Sequence, residues 1–383
     1  MRPHFVTCLV IAALANVSCT AIDTEPLYRQ DNSGFPAYLG LSAAAFSPSG
    51  QYAAVANFNT IWILRVDSMK TWRHFPANDR FGTNNTLTFL DENRIASTAK
   101  TVLHESGELQ AAIRIWDISR STPFVIPLPE LDRYAISLVY SESADTLAVG
   151  GSNGAVVLLK PDIDGRYLQE ALPGLSGSVL ALEFSQDGGL LAAGGVHPGV
   201  PIWDLKSLSE FSELPADGAV YDLDLIPGEQ TLLVAGRDLE LWKFQSADDV
   251  AELGNPSLAG DYITIGAMMA TYVALTPVVA LAGMPPPMFV DDFRGPGYEF
   301  CKRATAVSPT GNYIVDVHAG KLKEKIRIVD IREDKVVATL NPRGGNTCAV
   351  AFSPDGSKLL IANNRVARLY DVDTWDFEDF VLD

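Results

Sequence analysis

Basic residues are scarce: the 383-residue chain sets 29 Lys and Arg against 47 Asp and Glu, a formal charge of −18. A nucleic-acid surface needs clustered cations to neutralise phosphates, so this balance argues against such a partner. It also disfavours electrostatic adhesion to anionic lipid. Histidine is rare too. Past the N-terminal segment only His74, His104, His197 and His318 remain, and none has the spacing of metal ligands. No Gly-rich phosphate-binding motif occurs. The chain therefore offers no catalytic group, no metal set and no cofactor site to assign. What it does have is apolar mass, 47% of its residues, too much for a disordered polymer. Its length exceeds one ordinary core and implies either two or three domains or a repeat architecture.

Cysteine is sparse as well, with four in the whole chain. The N-terminus, "MRPHFVTCLVIAALANVSCTAIDTEP", puts one Arg before a charge-free run from Phe5 to Ala21. That run is too short to span a bilayer and has the form of a secretory signal. Two processing readings stand. Ala13-Leu14-Ala15 fits ordinary signal cleavage, whereas "NVSC" resembles a bacterial lipobox, with lipidation at Cys19 and Asn16 departing from the pattern. Either way the expectation is export to the cell envelope or periplasm, with a lipid anchor in the second case. Cys8 leaves with the signal, and if Cys19 is acylated only Cys301 and Cys348 remain as thiols, an even pair in an oxidising compartment and a candidate disulfide; two inert buried thiols are the alternative.

Four copies of one phrase organise the rest: "FSPSG" at Phe46–Gly50, "FSQDG" at Phe184–Gly188, "VSPTG" at Val307–Gly311 and "FSPDG" at Phe352–Gly356. Around them "VLALEFSQDGGLLAAGGVHPGVPIWDL" runs parallel to "TCAVAFSPDGSKLLIANNRVARLYDV". Short alternating runs bounded by turn residues mean β-strands. The anchors Phe46, Phe89, Tyr140, Phe184, Ile226, Val307 and Phe352 lie 43, 51, 44, 42, 81 and 45 residues apart. A period in the low forties with four short strands per unit is that of a propeller blade, which must stack on its neighbours to bury both faces.

The pattern from about residue 40 to 383 resembles the WD-repeat family. Trp116-Asp117 and Trp203-Asp204 carry the resemblance, with Tyr370-Asp371, Val329-Asp330 and Val66-Asp67 in the same slot. The "SPDG" phrase also occurs in TolB-like bacterial propellers. The family's Gly-His dipeptide is missing from every repeat and Trp242-Lys243 replaces aromatic-Asp, so the family's buried His network is not carried over and blade contacts must rest on apolar packing. The resemblance implies an all-β, seven-bladed β-propeller, or eight blades if the 81-residue gap hides a degenerate one. The domain reading is a signal at 1–19, a linker or closing strand at 20–40 and a propeller at 41–383. "WDFEDFVLD" or the segment near Leu27–Ser42 would close the ring.

The long gap holds "YITIGAMMATYVALTPVVALAGMPPPMFV", 29 residues without a charge. It reads as an insertion, 249–300, between blades five and six. A membrane span there would split a closed ring across a bilayer. Packing on its own propeller, docking a partner and dipping into lipid are the remaining options, and Met268, Met269, Tyr272, Met284, Met288 and Phe289 are the candidate docking residues.

Other motifs yield no chemistry. Gly150-Gly151-Ser152-Asn153-Gly154 matches a nucleophile pattern but lies between strands, where a hairpin turn is simpler. "DIDG" (Asp162–Gly165) lacks the other ligands of a calcium loop. His197 and His318 occupy comparable rim positions, where a solvated side chain is expected. The tail "DVDTWDFEDFVLD" carries six carboxylates and no base. By family analogy the function is a non-catalytic, monomeric scaffold mediating protein–protein interaction. The alternatives are a hydrolase- or lactonase-type enzyme or small-ligand binder using the central channel, or a purely structural envelope protein. An enzyme of that type needs converging carboxylates and His, and none is apparent in the sequence.

Overall fold

The computed structural model describes residues 41–57, 60–76, 86–102, 109–120, 122–132, 134–216, 218–246, 249–254, 303–318, 325–341, 347–363, 366–380 and 382. All fall within one unit, Gly40–Asp383. They form 28 strands, numbered β1–β28 in chain order, in seven four-stranded antiparallel sheets of consecutive strands. The innermost strands are β1 (Ala43–Phe46), β5 (Leu87–Phe89), β9 (Ala135–Ser141), β13 (Val179–Phe184), β17 (Asp222–Ile226), β21 (Arg303–Val307) and β25 (Thr347–Phe352). Each packs on the next, and β25 returns to β1, so the seven sheets close a ring.

The repeated phrase is the turn leaving the inner strand. In each copy the Gly has a positive φ (73°, 71°, 68° and 73° at Gly50, Gly188, Gly311 and Gly356), where a Cβ is disfavoured. Its N–H donates to the carbonyl of Ser47, Ser185, Ser308 or Ser353 at 2.8 Å. The same serine's Oγ accepts the N–H five residues on, at 3.2, 2.8, 3.0 and 2.9 Å for Tyr52, Leu190, Tyr313 and Lys358. The phrase thus buries a hydroxyl that serves as a turn pin.

The aromatic-Asp slot does a parallel job at the next turn. Asp204 Oδ1 accepts the N–H groups of Lys206 and Ser207 at 2.9 and 2.8 Å, and Asp330 Oδ1 those of Arg332 and Glu333 at 2.9 and 3.0 Å. Short-range carboxylate caps of this kind specify a turn without help from other blades.

Seven apolar clusters hold the ring, one at each seam. Ala148, Val156 and Leu158 of blade three meet Phe184, Leu191 and Trp203 of blade four, and Leu233 and Leu239 of blade five meet Ile314 and Val329 of blade six. Apolar packing at the seams is what the missing His network led us to expect. At the last seam Leu41, Ala53, Val55 and Leu64 bury against Leu360, Leu369 and Phe380. Blade seven takes its outer strand, β28 (Phe377–Phe380), from the chain's own tail, paired to β27 (Ala367–Asp371). Of the other candidate closing segment, residues 27–40 lie outside the described residues.

The seven-blade expectation holds: no eighth blade intervenes in the ring across the 81-residue gap, because β17 and β21 are direct neighbours. One boundary is corrected. Residues 249–254 belong to the ring, not to the insertion: β20 (Asp249–Gly254) is the outer strand of blade five. The segment between blades five and six is thus 255–302, and it lies outside the described residues.

Candidate functional site

The phrase turns gather at one end of the ring, each against its neighbour. Ser143 Oγ donates to the Gln186 carbonyl at 3.1 Å, and Gly228 N–H donates to Gln186 Oε1 at 3.3 Å. Between the turns of blades three, four and five lies an open cavity of about 620 Å³, lined by Val139–Ser143, Glu183–Gln186, Leu225 and Pro227. Its position follows from the fold: β9, β13 and β17 end here, and splayed strand ends leave room that the seams do not.

Glu183 sits at this cavity with Asp222 and Asp224 of the adjacent blade nearby. Glu183 Oε1 accepts the Leu225 N–H at 3.4 Å. Asp222 and Asp224 in turn bind blade six: Thr305 N–H donates to Asp222 Oδ2 and Thr305 Oγ to Asp224 Oδ2, both at 2.7 Å. Burial pushes Glu183 well above the usual carboxylate range, and the charges of Asp224 and Asp222 add to the rise. Asp224 is also pushed well up, by burial first and then by Asp222, against the lowering effect of the Thr305 bond. Glu183 is half-buried, and it lines the cavity. Charged carboxylates so placed repel one another, and protons relieve the repulsion.

Sequence reading found no converging carboxylates; the structure supplies three. The signal was present as acidic residues inside otherwise apolar inner strands, "VLALEF" and "DLDLI", about one repeat apart. No His joins them, and among the described residues no group of three or more His, Cys, Asp or Glu is arranged to hold a metal.

The remaining candidates distribute around the ring. His197 is not solvated as expected: its side chain is 20% exposed, Nδ1 lies 3.0 Å from Ser176 Oγ and Nε2 lies 3.0 Å from Glu213 Oε1. The Ser176 backbone N–H also donates to Nδ1, at 3.2 Å. With its lone pair engaged by an amide, Nδ1 tethers the loop. His318 ends strand β22 (Tyr313–His318). Gly150–Gly154 is the expected hairpin turn between β10 (Thr146–Gly151) and β11 (Val156–Pro161), and Asp162 closes a tight turn through Arg166 N–H at 2.8 Å. The acidic tail is not left to solvent alone. Arg368 on β27 pairs with Asp379, and Lys358 Nζ meets Asp371 Oδ2 at 2.8 Å. Cys348 is disulfide-bonded. Cys19, Cys301, Met268, Met269, Tyr272, Met284, Met288 and Phe289 lie outside the described residues, as do residues 1–40. Among the described residues no helix is long and apolar enough to cross a membrane.

No protein-family model matches the chain. A stretch of 132 residues, 33% of the chain, is 29% identical to the periodic tryptophan protein 2 homolog of Schizosaccharomyces pombe. Another comparison gives 27% identity over 128 residues, 32% of the chain, with the human U3 small nucleolar RNA-associated protein 4 homolog. The matches span only 16% and 19% of those two proteins. Among solved structures, a chain of the mitotic checkpoint complex superposes with a TM-score of 0.62 at 18% identity, covering 94% of this chain and 90% of that one. The Cps50 (Swd1) β-propeller domain of Myceliophteria thermophila gives 0.62 at 12% identity, covering 90% and 97%. The chain is a WD-repeat-like seven-bladed β-propeller. In this WD-repeat-like propeller the cavity lies on the face of the phrase turns; blades three to five build its wall, and Glu142 and Glu183 of blades three and four are its acidic residues.

Proposed function

We propose that this propeller is a non-catalytic scaffold that docks another protein on its rim, exported to the cell envelope. The observation that carries the docking reading is the cavity on the phrase-turn face, open to solvent and lined by three successive blades. The likeness to a chain of a multi-protein checkpoint complex supports it. The acidic balance of −18 points away from nucleic acid as the partner. Export is supported by the signal-like N-terminus and by the Cys348 disulfide, a bond that persists in oxidising compartments. Under this reading Cys19 either carries the lipid anchor or, after cleavage at Ala15, stays in the mature chain, and the propeller acts as a monomer apart from its partner.

One observation favours a second reading, a small-ligand binder or enzyme at the channel. The carboxyls of Glu183 and Asp224 are the kind of perturbed pair that functional sites hold. Without a His, a metal set or a nucleophile among them, they lack the partners that acid–base chemistry on a substrate requires.

Chemical cross-linking of the mature protein in cells of its source, read by mass spectrometry, separates the two. The docking reading expects recurrent cross-links from one partner to lysines of the ring. Cross-links confined within the chain would overturn it. Intact mass of the mature protein tests the anchor: a diacylglycerol-sized increase at Cys19 is expected of the lipidated form, and its absence removes that route to the membrane.

A further inference from the structure

The cavity also indicates what a docking partner would place in it, an inference that rests on the docking reading above. Its wall combines apolar surface from Val139, Phe184, Leu225 and Pro227 with the carboxylates Glu142 and Glu183, and no Lys, Arg or His lines it. Glu142 is exposed at the mouth, and its carboxylate makes no hydrogen bond or ion pair among the described residues. Glu183 lies deeper, with one long bond from Leu225 N–H at 3.4 Å.

We propose that this cavity receives an arginine side chain of the protein partner, its guanidinium on Glu183 and its stem along Phe184, Leu225 and Pro227. Size, charge and wall chemistry agree. A cavity of about 620 Å³ is ample for one long side chain and its flanking backbone. The wall offers acceptors with no competing cation. A half-apolar pocket suits guanidinium better than ammonium, because guanidinium is planar, weakly hydrated and able to grip a carboxylate through two N–H groups.

Docking is then coupled to proton release. The groups around Glu183 are Asp222 and Asp224 on β17 and, across the cavity, Tyr140 and Glu142 on and after β9; one cation, Arg94, acts on Tyr140 and is itself paired with Asp91 at 2.6 Å. Tyr140 is engaged with Asp145 at 2.8 Å. Burial favours the protonated form of Glu183, and an arriving guanidinium favours the ionised one. Below the titration of Glu183, affinity therefore climbs by up to about tenfold per pH unit.

The test uses the full chain, immobilised, with degenerate nonapeptide pools whose central residue is fixed as Arg, Lys, citrulline or norleucine. The expected result is retention of the Arg pool about tenfold or more above its neutral isostere citrulline, increasing as the pH is raised above the ordinary carboxylate range toward the titration of Glu183. Glu183→Gln, checked for native near-UV circular dichroism, abolishes that preference. Glu142→Gln, at an exposed position that tolerates change, weakens it about two- to fivefold. Equal retention of Arg and citrulline, preference for norleucine, or indifference to Glu183→Gln would overturn the proposal. Failure of every pool while cross-linked partners still map to this face would remove the arginine pocket and leave docking intact. Glu183-dependent binding of free agmatine, with no cross-linked partner found, would overturn both in favour of a small-ligand site.

Discussion

Two tryptophans in equivalent positions differ by one hydrogen bond, and the difference can be exchanged between blades. Trp116 Nε1 donates to Ser97 Oγ at 3.1 Å inside the seam of blades one and two. Trp203, 1% exposed in the seam of blades three and four, has an Nε1 with no acceptor among the described residues. The register shows why. Trp116 pairs across the ladder with Ile95, so Ser97 is its diagonal neighbour on the same face; Trp203 pairs with Leu191, and the same diagonal position is Ala193. A buried N–H left without a partner costs about 1–3 kcal/mol, whereas a bond made returns about 0.5–1.5 kcal/mol net. Ser97→Ala should therefore destabilise by about 1–2 kcal/mol. Ala193→Ser, which adds one oxygen at a fully buried position, should stabilise by about 0.5–1 kcal/mol. The two sites lie in different seams, so the double variant should show the sum. Equilibrium urea unfolding, followed by tryptophan fluorescence and near-UV circular dichroism, reads both shifts as changes in midpoint at constant slope. A lowered midpoint for Ala193→Ser with unchanged spectra, or no effect of Ser97→Ala, would refute the reasoning.

Three further outcomes follow from named contacts. Gly188→Ala combines a φ of 71° with a Cβ only 2.6 Å from both Ala144 Cβ and Ser141 Oγ, while Gly165→Ala has a φ of 73° and open space around it. Gly165→Ala should cost about 1–2 kcal/mol for the left-handed backbone alone, and Gly188→Ala distinctly more; equal costs by urea unfolding would show that the turn contact is dispensable. The Lys358 bond, then that of Thr374 N–H, holds Asp371 down to about 2. A depressed folded-state value means that these contacts stabilise fully above about pH 4 and are lost as pH falls toward 2. Lys358→Met should bring the Asp371 titration back up toward the ordinary carboxylate range, read by carboxyl-carbon NMR on aspartate-labelled protein; an unmoved titration would reject the assigned cause. Phe380→Ala, at a side chain 4% exposed in the closing seam, should cost about 3–5 kcal/mol and speed amide exchange first in β1 and β27. Uniform exchange instead would mean that the ring has no weaker seam there.

What was legible in the sequence was what the chain specifies locally. The phrase turns and the aromatic-Asp caps repeat because each satisfies its hydrogen bonds within about five residues, so seven blades could be counted without knowing how they meet. The outer strand of blade five was missed because "DVAELG" carries no such turn phrase. The role of the phrase serine was missed because its partners are backbone groups, invisible to residue spacing. The carboxylates at Glu183, Asp222 and Asp224 come together only when blades four and five stack, and alternation alone does not say which polar residue of an inner strand meets which. Lys358 and Arg368, the bases of the acidic tail, likewise reach it across the sheet from β26 (Lys358–Asn363) and β27 rather than along the chain.

A rim that docks partners requires a ring that seven blades close by themselves. Three other blade junctions use six-residue links, residues 173–178, 216–221 and 341–346. Replacing residues 255–302 with the 173–178 link, together with Cys348→Ser to leave no stray thiol, isolates that ring. Thermal unfolding with near-UV circular dichroism is the measurement. A native spectrum and one cooperative transition are expected, because Thr305 already joins β21 to Asp222 and Asp224 of β17. A variant that is unfolded, or that melts in separate stages on either side of the graft, would contradict the closed seven-bladed ring.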